Sequence, residues 1–393
     1  MKLLDLKNIK LIGVLKFILI TLYFINPLGY GYAFGYMIIL VLLFNKNYIK
    51  KYADRNLLIL IIFSVIFALF YALDPVSGIQ FIFIYAFFPA CFYVIGKHIS
   101  SISLSSESRV SILLFFGIAY ASPALVSVGF DIITNGFVHA QRNIPMIWGG
   151  ERVAATNMAA HFVLTMCFPG ILIIKSSSIK LKTRIILLAI FIISVLCVLR
   201  LGSRTQISIL IFTFAFSILY KISKQSIQKN IFAFITVAVL MLFAFQFVND
   251  EIGDKLFSAF ADRAGSKKYG ASSAGGRTER WMLSLESLIT KPLGWSVDDF
   301  GYSHNFWLDV ARMGGILTLF FLLLFSFRSF WQIAKIVVQK STNYLLNGLI
   351  LNYGLALFLL FFVEPILNGY FMSFIFFCFM VGMVNINEFR SKQ

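Results

Sequence analysis

The sequence predicts an all-α polytopic membrane protein with about twelve transmembrane helices. Three observations predict it. Of 393 residues, 59% are hydrophobic and only 13% charged, with mean hydropathy +0.86. Apolar segments recur at or near the length of about 20 residues that crosses a bilayer as a helix. Basic residues collect in alternate loops, as they do where charge sets membrane orientation. A soluble chain of this length would divide into two or three domains, and the apolar content excludes that. The net charge of +17 does not mark a nucleic-acid binder, because the basic residues are scattered among loops and form no single stripe.

The expected spans are 11–25, 30–44, 57–73, 79–95, 110–129, 156–174, 185–199, 205–220, 231–248, 306–327, 345–363 and 366–386. They divide the chain into three parts. Residues 1–248 hold nine spans with short loops and a middling loop at 130–155. Residues 249–305 form one long loop. Residues 306–393 hold three spans and the C-terminus. No small-residue cleavage site follows the first apolar segment, so it reads as a retained span and not a removed signal peptide.

With the N-terminus inside, 21 of the 34 Lys and Arg fall in inner loops. Short outer loops such as "NPLGYGYA" and "LDPVSG" carry almost none. This asymmetry and an even span count place both termini in the cytoplasm and both larger loops outside. Cys91, Cys167, Cys197 and Cys378 all lie in apolar segments without CxxC spacing, which favours packing over a metal site or a disulfide framework.

Cations on the outer side break the charge rule and need another reason. They are mainly arginines: Arg142 and Arg152 in the middling loop, Arg200 and Arg204 around the turn "RLGSR", Arg277 and Arg280 in the long loop, and Arg312. A guanidinium presents a planar fork that holds phosphate through two parallel hydrogen bonds, which an ammonium cannot do. In the long loop, "SKKYGASSAGG" reads as flexible and Arg277 to Thr290 as an amphipathic helix, ended by Pro292 and Gly294. Trp281, Leu285, Leu288 and Ile289 make one apolar face, expected to lie on the membrane surface. Arg277, Arg280 and Ser284 line another face. His304 and Asn305 open the next span, Asp309 and Arg312 are spaced to neutralise each other, and Glu364 is placed to pair with one of the arginines.

The ordered set "LGSRT", "GGRTERW…KPLGW" and "HNFWLDVARMGG", with this sidedness, resembles the O-antigen polymerase and O-antigen ligase superfamily of bacterial membrane glycosyltransferases. The motifs cover roughly residues 195–325, and the twelve-span layout extends the likeness over the chain. The resemblance implies a GT-C-like fold in the bacterial inner membrane, with an active site facing the periplasm. Its catalytic residues map onto Arg204, Arg277 and His304.

The reaction so implied moves a glycan from undecaprenyl pyrophosphate to a sugar hydroxyl. Preorganised arginines would stabilise charge growing on the pyrophosphate, and a neutral histidine would take the hydroxyl proton. Arg200, Arg280, Arg142, Arg152, Arg312 and Asn305 are the candidate substrate-binding residues. Asp298 and Asp299 read as a solvated turn, so no metal and no cofactor is expected. The expected partners are a lipid-linked donor and acceptor, the bilayer and a chain-length regulator. Ligases carry a glycine where Thr318 stands, which leans the reading to a polymerase, with a ligase second. A lipid-glycan transporter comes third, because it would place ionisable groups near mid-membrane in several helices.

Overall fold

A computed structural model describes residues 11–44, 47–103, 105–137, 142–175, 179–222, 226–228, 230–231, 276–338 and 343–384. Most of the described chain is helical, and its sheet is one hairpin of two two-residue strands. Six helices are long and apolar enough to cross a membrane: Gln80–Ile102, Ser106–Asn135, Leu181–Leu201, Arg204–Ile222, Phe306–Val338 and Tyr344–Val363. Shorter apolar helices cover Gly13–Ile25, Gly31–Leu43, Arg55–Tyr71, Thr165–Ile174 and Phe371–Met383. These overlap eleven of the twelve expected spans. The other, 231–248, lies outside the described residues apart from Ile231, as does the "SKKYGASSAG" segment.

The chain forms two compact units, Met1–Tyr120 with Gly276–Gln393, and Ala121–Gly275. The first contains α1 (Leu11–Ile25), α2 (Gly31–Leu43), α3 (Asn47–Tyr52), α4 (Arg55–Tyr71), α5 (Gln80–Ile102) and the start of α6 (Ser106–Asn135). Its later helices are numbered α11 to α16 below. α16 (Phe371–Met383) packs on α5 with its backbone nearly touching. A Cβ at Gly96 would collide with the Phe379 carbonyl, and one at Gly382 with the Tyr93 carbonyl. Small residues permit this approach between apolar helices. At one end of α4, Asp54 caps the helix by accepting from the Leu57 amide at 2.8 Å. Its other oxygen takes Lys97 Nζ at 2.7 Å and the Tyr93 hydroxyl at 2.8 Å.

The second unit continues α6 into a hairpin of β1 (Ile144–Pro145) and β2 (Arg152–Val153), antiparallel with Ile144 opposite Val153. Then come α7 (Ala155–Ala160), α8 (Phe168–Lys175), α9 (Leu181–Leu201) and α10 (Arg204–Ile222). Its core gathers Val128, Ile144, Met158, Phe162, Met166, Val198 and Leu201.

Three expected boundaries move. The segment 156–174 is not one helix: α7 ends at Ala160 and α8 starts at Phe168, with a 3-10 turn at Thr165–Cys167 between them. Pro169 has no amide to donate and lies in the first turn of α8, where no helical partner is required of it. The segment 366–386 likewise divides at Tyr370, where φ is −130°. The span opening at Phe306 runs to Val338 and is kinked at Gly315.

Candidate functional site

The candidate residues gather in two places, one in each unit. In the first unit, the chain from 276 to 316 folds on itself around His304. α11 (Arg277–Thr290) has the bounds its sequence predicts. A turn then leads to α12 (Val297–Phe300) and α13 (Phe306–Val338). α14 (Tyr344–Val363) ends at Glu364, and the short α15 (Ile366–Gly369) follows.

The predicted polar face of α11 points at the 302–304 segment. Arg277 Nη2 donates to Glu364 Oε1 at 3.3 Å, Arg280 Nη1 donates to the Tyr302 carbonyl at 3.3 Å, and the Ser284 and Ser303 hydroxyls lie 2.6 Å apart. The predicted apolar face divides in two. Trp281 turns inward, donating Nε1 to the Ser303 carbonyl at 2.9 Å and meeting Phe362 edge-on. Leu288 packs with Trp295, Ala311 and Leu319. Leu285 and Ile289 stay exposed. Trp281 and Leu288 therefore belong with the protein-facing side and not with a membrane-facing one.

His304 has φ +53°, in the left-handed region, an uncommon conformation for a residue with a Cβ. What holds it there is on either side. The buried Asp309 carboxylate accepts from the Ser303 amide at 2.8 Å and the Asn305 amide at 3.2 Å. Asn305 caps α13, its side-chain oxygen accepting from the amides of Trp307 at 3.1 Å and Leu308 at 3.2 Å. Its Nδ2 donates to the Phe362 carbonyl. The expected Asp309–Arg312 neutralisation is not the main use of Asp309, whose two oxygens serve the loop. Arg312 is buried with its guanidinium 5.2 Å from the centre of the Tyr302 ring.

The His304 Nδ1 lies 4.0 Å from Glu364 Oε2, beyond hydrogen-bond reach. Glu364, 3% exposed, also accepts from the Tyr370 hydroxyl at 3.3 Å. Burial, then the charges of Arg277 and Arg280, push the His304 pKa down from 6.5 to about 4. The imidazole is neutral at neutral pH and can accept a proton.

The kink in α13 is tied to the turn before it. Gly315 has φ 66° and ψ −172°, a region essentially restricted to glycine. The kink breaks the helical bond from the Ile316 amide to the Arg312 carbonyl. The "KPLGW" turn supplies both partners: Ile316 N donates to the Pro292 carbonyl at 2.8 Å, and Trp295 N donates to the Arg312 carbonyl at 2.9 Å. A Cβ at Gly294 would lie 2.5 Å from the Arg312 oxygen.

In the second unit, α9 and α10 are joined by the tight turn expected at "RLGSR". Gly202 caps α9 at φ 58°, its amide donating to the Leu199 carbonyl. Arg200 is 1% exposed, with Nη2 2.8 Å from Asp131 Oδ2 and Nε donating to the Gly136 carbonyl at 3.1 Å. Arg142 donates to the Leu201 carbonyl at 2.9 and 2.5 Å and to the Gly202 carbonyl at 3.3 Å, and so complements the negative end of α9. Arg204 is half-buried at the first position of α10, and Arg152 is exposed on the hairpin.

No protein-family model and no curated protein sequence matches the chain. The site therefore rests on its own chemistry. Two carboxylates were undervalued in the sequence. Asp131 is a lone charge in the apolar run "VSVGFDIIT", a signal that a buried partner exists. Asp309, four residues after the capping Asn305, has the spacing to reach back to the start of the helix.

Proposed function

We propose that the protein is a bacterial inner-membrane polymerase of surface polysaccharide, akin to the O-antigen polymerase and ligase superfamily. In this reading it has twelve spans, both termini in the cytoplasm and a periplasmic active site. It transfers a glycan from undecaprenyl pyrophosphate to a sugar hydroxyl of another lipid-linked repeat unit. The observation that carries the reading is a neutral histidine, fixed in a strained conformation, within the field of two arginines and close to a buried glutamate.

In the proposed reaction the acceptor oxygen attacks the anomeric carbon, and its proton passes to the His304 imidazole. The bond from the anomeric carbon to the phosphate oxygen breaks, and the pyrophosphate leaves with the electron pair. Arg277 and Arg280 are assigned to the growing phosphate charge, and the resemblance assigns Arg204 a part in the same turnover. Burial lowers the His304 pKa most and the two arginines lower it further; donor phosphate would offset the arginine part, so the base would strengthen when the donor is in place. Glu364 would hold the resulting imidazolium through Nδ1 after a closure of about 1 Å, which brings 4.0 Å to hydrogen-bond length.

The test is extension of a synthetic undecaprenyl-pyrophosphate oligosaccharide by the purified protein in vesicles. Release of undecaprenyl pyrophosphate with growth of the glycan is expected. No release with any lipid-linked glycan would sink the reading. The second reading, a ligase, is separated by a deletion strain. Single repeat units on the lipopolysaccharide core indicate a polymerase, and bare core with accumulated lipid-linked polymer a ligase.

A further inference from the structure

α11 carries a second apolar stripe that none of the described residues covers. Met282, Leu285, Ile289 and Leu293 follow one another at intervals of three, four and four residues and are 65%, 48%, 83% and 75% exposed. They lie on one side of the helix and its following turn. The opposite side is satisfied by protein through Trp281, Ser284 and Leu288. Glu279, Glu286 and Thr290, also exposed, border the stripe. Four large apolar side chains in so short a segment exceed the scattered single residues normal on a soluble surface.

The stripe continues into α13. The bond from Ile316 N to the Pro292 carbonyl sets Leu293 beside Ile316. From there Ile316, Leu317, Phe320, Leu323, Phe327 and Trp331 are exposed along α13, a helix long and apolar enough to cross a bilayer. The exposed face of such a helix is the one that meets acyl chains. Exposed apolar side chains thus follow one another from α11, through the turn, onto α13.

We propose that this stripe seats α11 in the bilayer interface, with lipid acyl chains as its occupant. A helix with this division of faces lies in the plane of the membrane with its apolar side about 5–10 Å into the headgroup and acyl boundary. Arg277 and Arg280, on the neighbouring protein-facing side, are thereby held at the depth of lipid phosphates. The stripe is a docking surface for lipid, and the docking fixes the depth at which any lipid-borne phosphate meets the arginines. The inference stands on the membrane setting of α13 and not on glycosyl transfer.

The test uses the full chain in vesicles of phosphatidylethanolamine and phosphatidylglycerol. Cys167, Cys197 and Cys378 are buried, so Cys91→Ala gives a background for single labelling. Leu285→Cys and Ile289→Cys, each carrying an environment-sensitive fluorophore, are expected to emit at shorter wavelength and to lose emission to lipids spin-labelled near the carboxyl end of the chain. Glu279→Cys and Thr290→Cys are expected to remain quenched by aqueous iodide. Equal iodide quenching at all four positions overturns the proposal. So does a short-wavelength emission that spin-labelled lipid leaves unchanged, which would mean that protein, and not lipid, covers the stripe.

Discussion

Asp309 straddles His304, accepting from the amide before it, Ser303, at 2.8 Å and from the amide after it, Asn305, at 3.2 Å. The imidazole is thus aimed by a residue five positions along the chain that need not touch any substrate. Asp309→Asn keeps one acceptor and turns an NH2 group toward an amide. It is expected to cost about 1–3 kcal/mol of stability and to lower kcat while leaving donor KM nearly unchanged. Thermal unfolding in detergent and steady-state turnover check this. An unchanged kcat would remove the positioning role.

His304→Gly separates strain from chemistry. Glycine adopts φ +53° without the clash that costs an L-residue about 1–2 kcal/mol. The variant is expected to be at least as stable as the parent, yet to extend no glycan. His304→Ala should be equally inactive and no more stable than the parent. A glycine variant that turns over like wild type would show the histidine to be a turn residue only.

The pH dependence follows from the direction of the His304 shift. Its folded pKa is about 4, against 6.5 for an unfolded imidazole. Between these values the unfolded chain binds more protons, so the contribution to stability is full above pH 6.5 and is lost as pH falls toward 4. The acidic limb of kcat/KM for the donor should therefore lie well below 6.5. The limb of kcat should lie higher, because bound phosphate offsets Arg277 and Arg280. Arg280→Gln should raise the kcat/KM limb. A wild-type kcat/KM limb at an ordinary histidine value would count against the burial of the imidazole and the field of the arginines.

Arg200 and Arg204 are four residues apart and are expected to fail differently. Arg200→Ala strands the Asp131 carboxylate, and breaking a buried pair costs about 3–5 kcal/mol. It should reduce the yield of folded protein, with recovery in the Arg200→Ala, Asp131→Ala double variant. Arg204→Ala should fold and lose turnover equivalent to about 2–4 kcal/mol, by analogy with a lost oxyanion donor. Arg204→Lys should regain little, for want of the fork. Fluorescence-detected size exclusion and turnover separate the two outcomes.

Gly315→Ala places a Cβ 2.5 Å from the Pro292 carbonyl at a φ of +66°. A lowered unfolding temperature, from about 1–3 kcal/mol of backbone strain, is expected. Gly129→Ala is the comparison: there a Cβ meets nothing within 4 Å. Equal effects of the two would argue against the docked kink.

The helices were legible because apolar runs of span length leave few alternatives, and α11 because Pro292 and Gly294 mark its end. The break between α7 and α8 was hidden because every residue from Phe162 to Phe168 is buried and none is charged, so hydropathy alone runs straight through. That Glu364 pairs with one of the arginines was anticipated from its place at the end of an apolar run, and the partner is Arg277. The pairing of Arg200 with Asp131 was not, since 69 positions separate them and local spacing carries no trace of the contact. The left-handed His304 was equally invisible, because its conformation is imposed by Asp309 and Asn305 and not by its own preference.

The exchange of main-chain bonds between "KPLGW" and the α13 kink has a consequence for divergence. Peptide groups at Pro292, Trp295, Arg312 and Ile316 make the joint, so its register survives replacement of most neighbouring side chains. Glycines 294 and 315 are the exceptions, because the backbones meet there. A lineage can therefore rewrite the surrounding surface while His304, Arg277 and Arg280 keep their mutual placement. Surface chemistry and backbone frame become separately inheritable traits of one chain.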